Sequence, residues 1–306
     1  MKDPLVKVDN LSHRYSVQWA VKDISFEIPG RGIYGLLGSN GAGKSTTMNI
    51  LSGVLQQSSG EVYIKGTSMS KDPIGAKKEI GFLPQDPPLY TDMTVEEYLT
   101  NCGHLRMIEP KDIKASVDDV MERCSISHFK KRLIKNLSGG YRQRVGIAQA
   151  IIHKPSFIIL DEPTNGLDPN QIIEIRKLIR EIARDHAVLL STHILTEVHA
   201  ICDYILMIEQ GKLVFSGKTE EFDSYLKPNS IFVRLLEMPS VDDLSKIEGV
   251  ESVEELGGPD YRLRFVDING ASQRVVQESV KHNWLLEEIR AEKSSLNEVF
   301  SALSKS

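Results

Sequence analysis

One segment constrains the fold more than any other: Gly38–Thr46, which reads GSNGAGKST. It follows the apolar strand pattern GIYGLLG and precedes a helical pattern that starts near Ser45. Glycines in such a turn let backbone amides face inward at phosphate oxygens, and the next helix directs the positive end of its dipole there. A glycine-rich turn that binds nothing is the competing interpretation, but the flanking strand and helix favour a phosphate site. Its predicted residues are Gly38, Ser39, Asn40, Gly41, Ala42, Gly43, Lys44, Ser45 and Thr46.

Side chains in and beyond this turn suggest the chemistry. Lys44 would neutralise the β- and γ-phosphates, and the Ser45 hydroxyl would ligate Mg²⁺. Asp161 and Glu162 follow the apolar run FIIL, where Asp161 would hold the same Mg²⁺ directly or through water and Glu162 would polarise the attacking water. An apolar strand that ends in two acids is weak evidence alone. Together with the phosphate site it predicts hydrolysis of a γ-phosphate.

Strand and helix patterns alternate along much of the chain, which predicts a parallel α/β sheet. Residues 86–135 interrupt this alternation with helical patterns and no clear strand. Near residue 227 the pattern restarts in the order βαββαβ, which favours a ferredoxin-like unit and ends in the helical pattern SLNEVFSALS. We therefore expect one domain over residues 1–227 and a smaller α+β domain over residues 228–306.

Composition narrows the classes of function. Residues 228–306 carry the whole net charge of −5, and residues 1–227 are balanced, so neither part has the basic field that nucleic-acid binding usually needs. The three cysteines form no CxxC pair, which fits a reducing cytoplasm. No apolar run approaches the roughly 18–20 residues that would cross a bilayer, and the start MKDPLVKVDN has no signal-peptide core. We expect that any membrane role requires a second chain.

A third motif, LSGG at Leu137–Gly140, stands directly before an amphipathic helix pattern. With the phosphate turn and the acidic strand end in this order, residues 5–220 resemble the nucleotide-binding subunit of an ABC transporter, a P-loop NTPase. The resemblance implies that Ser138, Gly139 and Gly140 contact the γ-phosphate held by a partner chain. Standing alone, the same stretch would be a flexible loop with a serine N-cap. The family's commonest form has Gln where this chain has Tyr141, so a contact from that side chain is in doubt.

The resemblance also implies the remaining site residues, each of which has a plain structural alternative. Gln85 would sense Mg²⁺ and water, but could be a loop glutamine. His193 would contact the γ-phosphate, although a histidine at a strand end is more often structural. Asp168 would couple two sites across a dimer, and Tyr15 would stack on adenine or simply pack in the core. ATP as the nucleotide follows from the family, since stacking does not distinguish it from GTP.

As a whole, the resemblance implies a parallel-sheet core with an antiparallel β subdomain and a helical subdomain at about 86–135. Two such chains, expected to be identical copies, would close around ATP and Mg²⁺ and drive export through a separate transmembrane permease. PPLYTDMTVEEYL, after Gln85, resembles the segment that receives a coupling helix of that permease. This places the chain in the cytoplasm, against the inner face of the cell membrane. The C-terminal unit resembles an accessory domain of bacterial exporters of the gliding-motility or multidrug type.

Three other classes remain open at this point. A soluble ABC ATPase acting on a non-membrane partner would show the same motifs. A different phosphate-loop enzyme, such as a kinase or GTPase, would leave LSGG, Gln85 and His193 unexplained. A nucleotide-gated scaffold that does not hydrolyse would not need Glu162.

Overall fold

The computed structural model describes residues 3–223 and 230–292. The chain forms two compact units that divide between Thr219 and Glu220. The boundary predicted near residue 227 falls outside the described residues, so the domain limits 1–227 and 228–306 stay a prediction. Among the described residues, no helix is both long enough and apolar enough to span a bilayer.

An antiparallel sheet forms one layer of the first unit. Its strands run in the order β2-β1-β4-β5, and β1 and β2 are joined by a tight turn between Tyr15 and Gln18. Alternate side chains of β2 are buried, as expected for a sheet with one solvated face. The strands are β1 (Val6–Tyr15), β2 (Gln18–Ile28), β4 (Ser59–Ile64) and β5 (Thr67–Ser68).

A six-stranded sheet forms the core of the same unit, and its order is β10-β9-β3-β8-β7-β6. Neighbouring strands from β9 to β6 pair in parallel, and only the edge strand β10 is antiparallel, which confirms the predicted α/β fold. The central strands are buried on both faces, so their residues are apolar except for Ser191 and Thr192. The strands are β3 (Gly32–Leu37), β6 (Ile80–Leu83), β7 (Phe157–Leu160), β8 (Ala187–Thr192), β9 (Tyr204–Glu209) and β10 (Lys212–Lys218).

The helices of this unit follow local signals in the sequence. Thr94 and Glu97 form the predicted capping box: the Thr94 amide donates to Glu97 Oε2 at 2.9 Å, and Thr94 Oγ1 accepts from the Glu97 amide at 3.3 Å. Residues 86–135 contain two helices and two 3₁₀ turns, in agreement with the predicted helical segment. The helices are α1 (Lys44–Leu51), α2 (Pro73–Lys78), α3 (Val95–Leu105), α4 (Pro110–Arg123), α5 (Gly139–Ile151), α6 (Pro169–Ile182) and α7 (Leu195–Ile201). The short helix α8 (Thr219–Asp223) begins at the division between the two units.

The second unit has its own antiparallel sheet, in the order β12-β13-β11-β14. This is the strand order of a ferredoxin-like unit, in which the first and third strands lie side by side. Its core is apolar and includes Ile231, Leu263 and Val275. The elements are β11 (Ser230–Leu235), α9 (Val241–Ser245), β12 (Val250–Gly257), β13 (Asp260–Phe265), α10 (Ala271–His282) and β14 (Leu286–Glu292). The predicted helix SLNEVFSALS lies outside the described residues.

Candidate functional site

The glycine-rich turn joins β3 to α1 at the carboxyl edge of the parallel sheet. A Cβ at Gly38 would lie 2.4 Å from the Ile208 carbonyl oxygen, and a Cβ at Gly43 would lie 2.6 Å from that of Ala20. Gly43 also has a φ of +110°, which side chains rarely adopt. Both positions therefore need glycine for the turn to fit against the neighbouring backbone.

The Lys44 side chain folds back along the turn that precedes it. Its Nζ donates to the carbonyl oxygens of Gly38 at 2.9 Å and Ser39 at 3.0 Å. Burial lowers the pKa of Lys44, while the negative charges of Glu162 and Asp161 act in the opposite direction. The ammonium group thus lies in a partly desolvated position, where its attraction for a phosphate is screened less than in water.

A cavity of about 420 Å³ opens over this turn and brings nine of the predicted site residues together. Besides residues of the turn, the cavity walls include Gln85, Glu162 and His193, which come from three different strand ends. Parallel strands present their carboxyl ends at one edge of a sheet, and ligands of such sheets bind there. The lining residues are Ala20, Asn40, Gly41, Gly43, Lys44, Ser45, Thr46, Gln85, Glu162, Asn165 and His193.

The two acids after β7 are held by a residue of β8. Ser191 donates its hydroxyl to Asp161 Oδ1 at 2.5 Å and accepts the Glu162 amide at 2.8 Å. Asp161 is buried, whereas Glu162 has a φ of +46°, an unusual conformation for a residue with a side chain. Ser191 therefore fixes the direction of the Asp161 carboxylate and holds the backbone of Glu162 in its strained conformation.

Glu162 and His193 lie side by side in the wall of the cavity. His193 Nδ1 lies 3.1 Å from Glu162 Oε1, and the Glu162 side chain is 14% exposed. A carboxylate so placed can accept a proton from a water molecule in the cavity, and the imidazole can orient that carboxylate or contact a phosphate. The geometry suits attack by water on a bound phosphoryl group.

Oxygen donors near Lys44 have the chemistry that Mg²⁺ prefers. The described residues contain no group of three or more His, Cys, Asp or Glu side chains that could hold a metal ion. A divalent ion at this site would therefore depend on a hydroxyl, an amide oxygen, one carboxylate, water and the nucleotide itself. Ser45 and Gln85 line the cavity, and Ser191 occupies only one of the two oxygens of Asp161, so these donors fit such an ion.

The LSGG turn is not among the residues that line this cavity. Ser138 and Gly140 line a different, smaller cavity of about 130 Å³ beside Gln171. Ser138 stands at the N-cap of α5 in an extended conformation, without a hydrogen bond from its side chain to the helix. Gly139 has open space around it, because a Cβ there would meet only Leu167 Cδ2, at 3.9 Å. Within one chain, the two predicted halves of the site thus lie apart.

Six further predicted residues also lie outside the cavity lining: Gly38, Ser39 and Ala42 of the phosphate turn, the buried Asp161, and Asp168 and Tyr15. Asp168 is exposed and caps α6, since its Oδ1 accepts the amides of Asn170 and Gln171, both at 3.0 Å. Tyr15 ends β1 with 52% of its surface exposed and meets the ring of His13 edge-on at 4.7 Å. Tyr15 is therefore half exposed and does not pack in the core, which was the alternative interpretation.

Tyr141, the departure from the common motif, packs within its own chain. Its ring meets Phe129 at 4.5 Å and His128 at 5.8 Å, both nearly edge-on. Two residues further, Gln143 donates to the Pro163 carbonyl oxygen at 2.9 Å. The start of α5 is thereby linked both to the helical segment and to the loop that follows Glu162.

Sequence reasoning missed three residues of this site: Ser191, Asn165 and Glu209. Ser191 lies two residues before His193 and looked like an ordinary strand position, so only its contacts reveal it. Asn165 follows the acidic pair in the same loop and lines the cavity. Glu209 accepts from the Ser39 hydroxyl at 2.9 Å, and because the two residues are 170 positions apart, no local sequence pattern indicates the pairing.

Comparisons with known proteins agree with this geometry. A family model described as ABC transporter matches residues 21–165. Linearmycin resistance ATP-binding protein LnrL of Bacillus subtilis (strain 168) is 30% identical, over 98% of this chain and 98% of that protein. Bacitracin transport ATP-binding protein BcrA of Bacillus licheniformis is 36% identical, over 69% of this chain and 68% of that protein.

A solved structure extends the likeness to the fold. The structure of cbiO1 from Clostridium perfringens, described as part of the ABC transporter complex cbiONQ, is 32% identical with a TM-score of 0.66. The match covers 72% of this chain and 91% of that one. The phosphate turn, the acidic strand end and these relatives lead to one conclusion: the chain belongs to the ABC transporter family, as an ATP-binding subunit that hydrolyses ATP.

Proposed function

We propose that two copies of this chain bind two ATP molecules between them, each held by the phosphate turn of one copy and the LSGG turn of the other. One observation carries the proposal: the cavity over Lys44 contains hydrolytic groups but none of Ser138, Gly139 or Gly140. A second copy can supply them without a clash at Gly139, which has open space. The α5 N-terminus would then direct its positive dipole end at the γ-phosphate.

Within each site the roles divide by chemistry. Lys44 neutralises phosphate charge, Glu162 accepts the proton of the attacking water, and His193 orients the carboxylate and contacts the γ-phosphate. Ser45, Gln85 and Asp161 hold Mg²⁺, which supplies charge neutralisation on the phosphates. Support comes from the cavity that Lys44, Ser45, Gln85, Glu162 and His193 share, from the position of Asp161 directly before Glu162, and from the 3.1 Å approach of His193 to Glu162.

Two other contacts complete the proposed dimer. Tyr15 stacks on the adenine, since its ring is exposed at the end of β1 and available to a base. Asp168 stands at the cap of α6, next to the loop that carries Glu162, and relays the state of one site to the other. Closure around ATP favours one conformation, and hydrolysis removes the contacts that hold it.

The work done by this cycle is export through a transmembrane permease against which the chain lies on the cytoplasmic side. LnrL is named for linearmycin resistance and BcrA for bacitracin transport, which supports export rather than uptake. A mainly apolar groove beside α3, with exposed Tyr90 and Leu105, supports the proposal that a helix of the permease docks there.

A soluble ATPase acting on a non-membrane partner is not favoured, because the relatives LnrL and BcrA are resistance and transport proteins. The C-terminal unit serves as an accessory domain.

Mixing two inactive variants tests the shared site. Lys44→Ala removes one half of the site and Gly139→Val blocks the other, so each variant alone is inactive. In a mixed dimer one site loses both halves and the other is complete. An equal mixture should therefore regain about a quarter of the wild-type ATPase rate, because half of randomly paired dimers are mixed and each has one complete site of two.

The control is a mixture of Lys44→Ala with Lys44→Arg, which lacks a complete site in every dimer. Steady-state phosphate release at saturating ATP is the measurement, with both variants first shown to elute and unfold like the wild type. If the Lys44→Ala and Gly139→Val mixture stays as inactive as this control, the site is not shared between chains.

A further inference from the structure

Glu197 of α7 is a buried acid that has no direct part in the hydrolytic reaction. Only 5% of its surface is exposed, and it is not among the residues that line the cavity over Lys44. A buried carboxylate is costly unless its oxygens accept hydrogen bonds or pair with a cation. The groups that contact Glu197 therefore indicate its role.

Both oxygens of this carboxylate accept hydrogen bonds, and the donors belong to two different loops. Oε1 accepts the Thr164 hydroxyl at 2.6 Å, and Oε2 accepts the Thr192 hydroxyl at 2.9 Å. Thr164 lies two residues after Glu162, and Thr192 lies directly before His193. One carboxylate thus connects the loop that carries the proposed base to the turn that carries its histidine partner.

The contact at Thr192 fixes the backbone around His193. Thr192 Oγ1 donates to Glu197 and also accepts the Ile194 amide at 3.0 Å. One hydroxyl therefore holds the residues on both sides of His193, and the carboxylate sets the direction of that hydroxyl. The His193 side chain is 42% exposed, so its position depends on this backbone and on its contact with Glu162.

The contact at Thr164 acts on the loop after Glu162. Within this loop the Asn165 amide donates to the Glu162 carbonyl oxygen at 3.1 Å, and the Leu167 amide donates to that of Thr164 at 3.3 Å. These bonds fold the loop into a compact turn, and Asn165 lines the cavity. The Thr164 hydroxyl, bound to Glu197, therefore holds the turn in the wall of the site.

Arg176 of α6 compensates the charge of Glu197. Its guanidinium lies 3.5 Å from Glu197 Oε1, and its Nε is buried without a hydrogen-bond partner among the described residues. This distance is long for a charge-assisted hydrogen bond, whereas the two hydroxyls approach to 2.6 and 2.9 Å. The main partners of the carboxylate are therefore the two threonines.

We propose that Glu197 is a positioning residue for ATP hydrolysis in the site of its own chain. By holding the Thr164 and Thr192 hydroxyls, it keeps two loops together, and His193 stays within contact distance of Glu162. The inference rests on the roles proposed above for Glu162 and His193. Displacement of a catalytic group by about 1 Å can reduce a rate about 100-fold, so loss of these hydrogen bonds should be measurable.

Steady-state kinetics of three variants test this role. Glu197→Gln keeps the shape but offers one acceptor oxygen instead of two, so it should lower the ATPase kcat about tenfold and change ATP affinity far less. Thr164→Val should also lower kcat, whereas Thr164→Ser keeps the hydroxyl and should remain close to the wild type. An unchanged kcat in either Glu197→Gln or Thr164→Val, or equal losses in Thr164→Ser and Thr164→Val, would overturn the inference.

Glu79→Gln is the matched control. Glu79 also accepts a hydroxyl, from Ser156 at 2.6 Å, and also pairs with a cation, Lys65 at 3.2 Å. It lies directly before β6, at the opposite edge of the sheet from the site. Glu79→Gln should leave kcat unchanged. If kcat falls equally in Glu79→Gln and Glu197→Gln, the effect of Glu197 is merely structural and the inference fails.

A double variant tests whether Thr164 acts through Glu197. Each single substitution breaks the same hydrogen bond, so Thr164→Val/Glu197→Gln should lose little more kcat than Glu197→Gln alone. Losses that multiply would contradict the link. Chemical denaturation of the same proteins monitors folding. Thr164→Val leaves Glu197 with Thr192 and Arg176, so it decides the question even where Glu197→Gln does not fold.

Mixed dimers show which site Glu197 serves. In the mixture of Lys44→Ala with Gly139→Val, the complete site uses the phosphate turn of the Gly139→Val copy. Glu197→Gln added to that copy should lower the regained rate about tenfold, whereas Glu197→Gln added to the Lys44→Ala copy should leave it unchanged. The reverse pattern, or equal losses, would overturn the inference. If the parent mixture regains no activity, the shared site fails instead, and the single-variant kinetics still decide the role of Glu197.

Discussion

At the scale of single residues, the site depends on groups that position the reactive ones. Ser191 is fully buried and connects to both acids: its hydroxyl donates to Asp161, and its oxygen accepts the Glu162 amide. The positive φ of Glu162 stores strain that this hydrogen bond helps to retain. A single hydroxyl therefore controls where the carboxylates point.

Ser191→Ala should lower the ATPase kcat by about tenfold or more while changing ATP affinity far less. Removal of the hydroxyl releases the Glu162 backbone and one oxygen of Asp161, whereas the phosphate turn stays intact. Steady-state kinetics together with nucleotide-binding titration measure the two effects. Ser156→Ala, which removes an equivalent hydroxyl–carboxylate bond to Glu79 at the opposite strand end, is the control and should not alter kcat. Equal effects of the two substitutions would contradict a positioning role.

A pH-dependent loss of stability is expected from His153. Burial first, and then the charge of Arg106, lower its pKa to about 4, so it stays neutral in the folded chain while the unfolded chain binds a proton below about pH 6.5. Its contribution to folding is therefore complete above pH 6.5 and is lost as the pH falls towards 4. Urea unfolding should show that His153→Gln loses less stability over this window than the wild type, by up to about 3 kcal/mol. Parallel pH curves for the two proteins would refute the assignment.

At the scale of secondary structure, close packing of helices on the parallel sheet sets the position of each strand end. Gly81 in β6 faces α5, and a Cβ there would lie 2.1 Å from the Ala150 carbonyl oxygen. Backbone atoms cannot move aside as side-chain ends do, so this contact fixes how near α5 lies to the sheet. Since α5 begins at the LSGG turn, the same contact positions half of the proposed site.

Gly81→Ala should destabilise the chain by about 1–3 kcal/mol, because the added methyl group pushes β6 and α5 apart. Gly30→Ala is the matched control, since nothing lies within 4 Å of a Cβ there and its φ is unexceptional. Chemical denaturation provides the free energies of unfolding of both. A Gly81→Ala protein as stable as Gly30→Ala would show that the helix shifts without cost.

At the scale of the whole molecule, we propose that each chain contains two different half-sites within residues 3–219 and that neither is complete alone. The cavity over Lys44 is lined by Glu162, while the small cavity at Ser138 and Gly140 lies apart from it. If the site is shared in this way, turnover requires the association of two chains. Hydrolysis should therefore depend on protein concentration and on whether ATP persists at the interface.

Glu162→Gln should nearly abolish turnover. Dimers should accumulate with ATP, because the closed state forms but hydrolysis no longer reopens it. Sedimentation or light scattering with and without ATP measures this, and the double variant Lys44→Ala/Glu162→Gln, which lacks the phosphate contact, should remain monomeric. Wild-type protein that keeps its full rate per chain at dilutions where no dimer exists would contradict the shared site.

Local patterns were sufficient to predict most elements of the fold. The alternation of apolar strands with helices predicted the parallel sheet, and apolar residues at helical spacing, such as Ile175 and Ile179, predicted α6. The capping box at Thr94 predicted the start of α3. Side-chain partners distant in sequence were not predictable in this way. The bond from Ser39 to Glu209 depends on β3 and β9 being neighbours, a fact that no local period contains.

By itself, the sequence determined the kind of ligand and the family, because a glycine-rich turn before Lys44 can bind phosphates and acids after an apolar strand can position Mg²⁺ and water for hydrolysis. Only the tertiary structure decided which groups meet: Glu162 contacts His193, and Ser191 contacts both acids. The LSGG turn lies apart from these groups within the same chain. The physical reason is that backbone conformation follows from neighbours along the chain. Distances between side chains depend instead on how strands are ordered and how closely helices pack against them.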